Sequence, residues 1–79
     1  MPAIRIYSRQ GCHLCEILIE RLVPVLRGRH SFEVLDVDSD AHWQRQFGDR
    51  VPVVEIDGRL VCEYQLDVEA IEEALAPRA

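Results

Sequence analysis

Lysine is absent from this chain, and no run of apolar residues is longer than five. The first absence leaves nine arginines to face fourteen acidic residues, for a net charge of −5. A protein that binds nucleic acid or an anionic membrane needs a clustered positive field, so neither partner is expected. The second absence leaves nothing near the ~20 apolar residues with which a helix crosses a bilayer. The opening Met1-Pro2-Ala3-Ile4-Arg5 has no signal-peptide core, and the expected location is the cytoplasm. Internal repeats, low-complexity tracts and linkers are missing too; only Ala76-Pro77-Arg78-Ala79 reads as a loose tail. Three cysteines are an odd number and too few for a disulfide framework. In a reducing compartment such cysteines are more often catalytic or metal-binding.

What is present is a single small domain, residues 1–79. A chain of this size buries only about 60% of the surface exposed when unfolded. Its core then contributes roughly 3–5 kcal/mol net, so the layout must be economical. A small acidic domain of this kind is expected to be monomeric.

Ala3-Ile4-Arg5-Ile6-Tyr7 alternates with a period of two and reads as a strand. Ser8-Arg9-Gln10-Gly11 reads as a turn. From Cys12 to about Leu26 the residues Leu14, Ile17, Leu18, Leu22 and Val25 recur at helical spacing. Pro24 predicts a kink or an early stop, and Gly28 suits the break that follows. Phe32 to Val37 is a second strand, and Asp38, Ser39 and Asp40 offer N-caps for a short helix closed by Gly48. Val51 to Ile56 and Arg59 to Glu63 are strands joined by Asp57-Gly58, a strong hairpin signal. Asp67 caps a last helix with Val68, Ile71, Ala74 and Leu75 on one side.

The order is βαβαββα. Strands joined through a helix run parallel with a right-handed crossover, whereas the last two strands form an antiparallel hairpin. The expected fold class is α/β, with one four-stranded mixed sheet flanked by helices.

The chemistry concentrates in Cys12-His13-Leu14-Cys15. At a helix start the backbone N–H groups are free and the dipole is positive, and Arg9 adds a cation three residues earlier. Such surroundings lower a thiol pKa from ~8.5 to ~3.5–7.5. With a pKa of ~6, the thiolate fraction at pH 7 rises from about 3% to about 90%. Intrinsic nucleophilicity falls by roughly tenfold over the same shift. The net gain as an attacker is therefore only a few-fold, and the larger gain is as a leaving group. Cys12 is the expected nucleophile. Cys15, one turn on, is the resolving thiol. His13, when protonated, adds positive charge beside Cys12 or else simply faces solvent. The rival use of the pair is as half of a metal site, which needs two further ligands. Cys62, His13, His30 and His42 form no second close pair, so no metal ligands are assigned.

The stretch Tyr7-Ser8-Arg9-Gln10-Gly11-Cys12-His13-Leu14-Cys15-Glu16, together with Val51-Pro52 and the element order, resembles glutaredoxin-like proteins of the thioredoxin-fold superfamily. It is most similar to the small bacterial group in which Cys-x-x-Cys is followed by Glu. The resemblance spans about residues 3 to 75. It implies a minimal thioredoxin fold with Cys12 exposed at the end of strand 1, and thiol–disulfide oxidoreductase activity through a mixed disulfide. It implies a cis Val51–Pro52 bond beside the dithiol, with the Val51 backbone pairing an extended substrate as in strand addition. The substrate-binding set is then Arg9, His13, Val51 and Pro52. No tightly bound cofactor is implied. The partners are a disulfide-bearing protein or small molecule and a thiol reductant, either glutathione or a reductase.

Two departures stand out. Glutaredoxins carry a Gly-Gly pair after strand 4, where this chain has Glu63-Tyr64-Gln65-Leu66, and His13-Leu14 replaces their Pro-aromatic pair. A non-enzymatic redox-sensing or binding module is the first alternative function, and a metal or iron–sulfur carrier the second.

Among the other residues, Cys62 reads as a small buried hydrophobe, with Leu60, Cys62 and Tyr64 sharing one strand face. Trp43 and Phe47, four apart, read as core packing. Arg50 is the other cation expected near a substrate carboxylate.

Overall fold

The computed structural model of the chain describes residues 2–76; residues 77–79 of the expected tail lie outside the described residues. Strand β1 (Ile4–Ser8) leads into helix α1 (His13–Leu26), strand β2 (Phe32–Asp36), a short 3₁₀ turn (Val37–Ser39) and helix α2 (Ala41–Phe47). The hairpin β3 (Val53–Ile56) and β4 (Arg59–Glu63) follows, and α3 (Val68–Leu75) closes the chain. The sheet order is β2-β1-β3-β4. β1 and β2 are parallel, while β3 is antiparallel to both β1 and β4. This is the α/β, four-stranded mixed sheet that the element order implies.

Register decides what meets what. Ser8 lies opposite Asp36, Tyr7 opposite Val53, and Val53 opposite Glu63. The C-terminal ends of β1, β2 and β4 and the N-terminal end of β3 therefore share one end of the sheet. The Cys12 loop, the Val51-Pro52 segment and the Glu63-Tyr64 corner all leave from that end.

One face of the sheet carries the main core. Ile4, Ile6, Val54, Ile56 and Cys62 pack there with Leu18, Leu22 and Leu26 of α1 and Ile71 of α3. The 18, 22, 26 spacing presents one stripe of α1 to the sheet. Pro24 neither stops nor shortens α1. It sits on the exposed side, where a helix that curves around a core already lengthens its hydrogen bonds, and Leu26 anchors the last turn. The helix ends instead at Arg27, with φ 54°, and Gly28, with φ 70°.

The other face has a smaller core of Tyr7, Val37, Phe47 and Val53 under α2. Asp40 caps α2 by accepting from the N–H groups of His42 (2.8 Å) and Trp43 (3.2 Å), as expected of an acidic N-cap. Tyr7 stacks on Phe47 with centroids 4.3 Å apart and meets Trp43 edge-on at 5.6 Å.

The expected face assignment in β4 needs correction. The β3–β4 register slips between Val54 and Glu55, pairing Glu55 with Leu60 and Val54 with Cys62. The bulge inserts Val61 as an extra residue. It turns Leu60 away from Cys62 and leaves it 44% exposed, while Cys62 enters the main core. The Asp57-Gly58 turn has φ of 52° and 83°, the two positive values of a type I′ hairpin.

Candidate active site

Cys12 is the N-cap of α1, extended at φ −82° and ψ 104°. Its Sγ accepts a hydrogen bond from the backbone N–H of Cys15 at 3.2 Å. Glycine at position 11, with φ 75°, allows the chain to turn into this cap. Cys12 and Cys15 are joined as a disulfide with Cα atoms 5.2 Å apart, within the usual span of such bridges. The two sulfur-bearing residues differ in access: Cys12 is half-buried, whereas Cys15 is only 3% exposed. An N–H donor and the helix N-terminus both favour negative charge on Cys12 when the bridge opens.

Of the remaining residues expected here, Val51 and Pro52 do lie at the dithiol end of the sheet, and the Val51–Pro52 bond is cis. Pro52 is buried and Val51 half-buried. The Pro52 carbonyl accepts from the Tyr64 N–H at 2.8 Å. Tyr64, at φ 66°, also donates its hydroxyl to the Asp49 carbonyl at 2.9 Å. Two bonds thus staple the Asp49–Pro52 segment to the end of β4.

His13 is fully in solvent, its side chain 82% exposed and 3.7 Å from a Glu16 carboxylate oxygen. Leu14, between the cysteines, is 49% exposed. It borders a cleft of about 230 Å³ shared with Ile17, Arg21, Tyr64 and Leu66. A larger groove, of about 860 Å³, runs past Asp57, Leu60 and Ala74 at the opposite end of the sheet and holds no cysteine. The smaller cleft is the one that adjoins the chemistry.

Both expected arginines are held in ion pairs. Arg9 donates from Nε and Nη2 to the two carboxylate oxygens of Asp38 (2.9 and 3.1 Å) and from Nη1 to the Gly48 carbonyl (3.1 Å). That fork ties the dithiol loop to the 3₁₀ turn and the end of α2. The bonded guanidinium holds the Asp38 carboxyl below its ordinary range, with a smaller contribution from Gln44. Arg50 donates from Nε to Glu63 at 2.7 Å. Neither partner was visible in the spacing: Asp38 is 29 residues from Arg9, and Glu63 is 13 from Arg50.

Cys62 is buried in the main core, and burial pushes its thiol up from the ordinary value. It is an inert hydrophobe rather than part of the dithiol. Among the described residues, no three His, Cys, Asp or Glu side chains converge as metal ligands would. No described helix is long and apolar enough to cross a membrane.

A Cys-x-x-Cys bridge at the start of the first helix and a cis-proline at the same end of a mixed sheet define a thioredoxin-like fold. A family model described as "Glutaredoxin-like domain (DUF836)" matches residues 3–76, and the chain belongs to that family. The solution structure of protein Ne2328 from Nitrosomonas europaea is similar, with 33% identity and a TM-score of 0.86, covering 95% of this chain and 92% of that one. The glutaredoxin-like protein YDR286C homolog of Dictyostelium discoideum is 28% identical over 75 residues, 86% of this chain and 69% of the relative. Thioredoxin 1 from Thermosipho africanus, at 18% identity and a TM-score of 0.62, covers 92% of this chain and 93% of its own. That last likeness shows the fold alone.

Proposed function

We propose that the protein is a thiol–disulfide oxidoreductase working through Cys12 and Cys15. The observation that carries this reading is the bridge itself, with a half-exposed sulfur at a helix N-cap and a buried one a turn later. In the reducing direction the Cys12 thiolate attacks a substrate disulfide. A mixed disulfide forms and one substrate sulfur leaves as thiolate. Cys15 then attacks Cys12 Sγ, releasing the second substrate sulfur and restoring the bridge. The two electrons return from a thiol reductant. Burial of Cys15 keeps the second attack intramolecular, and the Cys15 N–H supports charge on the Cys12 thiolate before its attack.

Val51 supplies the edge on which an extended substrate segment pairs, and Leu14 supplies apolar contact beside it. His13, in solvent and one residue from Cys12, meets the substrate at its rim. Arg9 acts at a remove, by holding the loop rather than the substrate. The substrate is a disulfide-bearing protein or small molecule, and the protein works as a monomer in the cytoplasm.

Equilibration across glutathione redox buffers, acid quench, alkylation and intact mass tests the reading. The expected result is interconversion of dithiol and disulfide, a change of two hydrogens, at about −180 to −270 mV, between protein disulfide isomerase and thioredoxin. Cys15→Ser should accumulate a mixed disulfide on Cys12, and Cys12→Ser should form none. A pair that stays reduced throughout, or a Cys12→Ser protein that still turns over substrate, sinks the proposal.

A further inference from the structure

At the dithiol end of the sheet, the guanidiniums of Arg9 and Arg50 are already engaged. Arg9 is forked onto Asp38 and Gly48. Arg50, the residue before the cis Val51-Pro52 segment, lies 2.7 Å from the Glu63 carboxylate. Both side chains of that second pair remain partly open, 42% and 34% exposed, at the end of the sheet from which the Cys12 loop leaves. The other charged groups leaving from this end are the carboxylates of Glu16, Asp36 and Asp49. Against these three carboxylates stands Arg21, exposed on α1 at the cleft beside Leu14 and Tyr64 and in no ion pair among the described residues, which leaves the balance negative.

We infer that the Arg50–Glu63 pair sets partner selectivity, admitting neutral or cationic thiols and disulfides to Cys12–Cys15 and discriminating against net-anionic ones such as glutathione. The inference rests on the oxidoreductase reading. The physical reason is that Glu63 takes the position beside Arg50 that an incoming carboxylate would need. Glutathione, with two carboxylates and one ammonium, meets a neutralised cation and a surplus of negative charge. A cysteine in a basic or uncharged polypeptide segment does not. Tyr64 fixes the arrangement, because its N–H and hydroxyl bind Pro52 and Asp49 on the segment that carries Arg50.

The step concerned is reduction of the bridge. A thiolate attacks Cys12 Sγ and forms a new S–S bond as the Cys12–Cys15 bond breaks. Cys15 leaves as thiolate and takes a proton. A second thiolate attacks the incoming sulfur, Cys12 leaves as thiolate, and a small disulfide departs carrying the oxidation. Charge on the thiol acts at the approach, where like-charge repulsion lowers the rate.

The test measures reduction of the bridge by glutathione, 2-mercaptoethanol and cysteamine at equal thiolate concentration and low salt, by quenched alkylation and mass. Glu63→Gln should raise the glutathione rate relative to 2-mercaptoethanol by about fivefold and lower cysteamine by a similar factor, as one unit charge several ångströms away in a wet site would. Arg50→Gln should move both ratios the opposite way, and the double variant should return them close to the parent. All shifts should shrink in ~1 M salt, where the Debye length is ~3 Å. Equal changes for all three thiols in both variants would make the pair a structural staple and overturn the inference. Arg50→Gln keeps the test decisive if Glu63→Gln fails to fold. A bridge that no thiol opens would instead remove the oxidoreductase reading, and the inference with it.

Discussion

The two faces of the sheet are built differently. Under α1 and α3, Ile4, Ile6, Val54, Ile56 and Cys62 form an apolar field that runs from the dithiol end to the hairpin end. On the opposite face only the dithiol end is covered, by seven-residue α2 over Tyr7 and Val53. The rest of that face is polar: Arg5 pairs with Glu33 at 2.9 Å, and Glu55 accepts from the Tyr7 hydroxyl at 3.2 Å. The difference separates two jobs. The first face holds the fold together. The second spends its few apolar residues beside the loops that carry the chemistry, and little of its area is available for stability.

The largest expected effect breaks the first face. Leu22 is fully buried between α1 and the sheet, and Leu22→Ala should cost about 3 kcal/mol. In a domain whose net stability is of that order, unfolding in urea should begin close to zero denaturant. The rate of bridge reduction in the remaining folded fraction should be unchanged. A loss below about 1 kcal/mol would mean that the second face carries the fold.

A smaller change sharpens the contrast from the other side. Phe47 stacks on Tyr7 behind the dithiol loop, and Phe47→Leu should lower stability by about 1 kcal/mol, a cost in the range of near-volume-conserving core swaps. Its more telling readout is local. Trp43, the sole tryptophan, meets the same Tyr7 and should become more accessible to acrylamide while the urea midpoint moves little. Bridge reduction should change with it, because α2 ends at the Gly48 carbonyl that holds Arg9. An unmoved Trp43 signal would uncouple this core from the site.

How much of this was legible follows from the range of each signal. The βαβαββα order and both cysteines could be read because helical spacing, period-two alternation and the Asp57-Gly58 turn are local. Asp40 and Asp67 were readable as caps for the same reason; Asp67 accepts from the Ala70 N–H at 3.0 Å. The cis Val51–Pro52 bond came through family resemblance, since propensity alone favours trans. The bulge at Val61 was hidden, because alternation gives a strand's period but not where its partner slips. The early stop at Pro24 does not occur, because composition shows a missing N–H and not the exposed side of a helix already anchored by Leu22 and Leu26. The partners of Arg9 and Arg50 were the least legible. Each arginine is near the cysteines or the proline in sequence, but charge pairing is settled by distant carboxylates that only the folded register brings within reach.

The smallest expected effect concerns one of those carboxylates, and it joins the two ends of the comparison. Asp38 stands between the dithiol loop and α2, bonded to Arg9 and to the Gln44 amide. Its pKa is lowered from 3.8, first by the hydrogen bond from Arg9. A carboxyl depressed in the folded state contributes stability that is present above its unfolded pKa and is lost as pH falls through the folded value. The pair is open to solvent, with side chains 38% and 43% exposed, so the contribution is small and salt-dependent. Asp38→Asn should therefore leave a slightly lower urea midpoint at pH 7 and a flatter decline below about pH 4 than the parent shows. Arg9→Gln should reproduce the same flattening, since either change removes the ion pair. If both variants kept the parent's acid limb, the contact between the dithiol loop and α2 would be held by Gly48 and the aromatic stack, and not by charge.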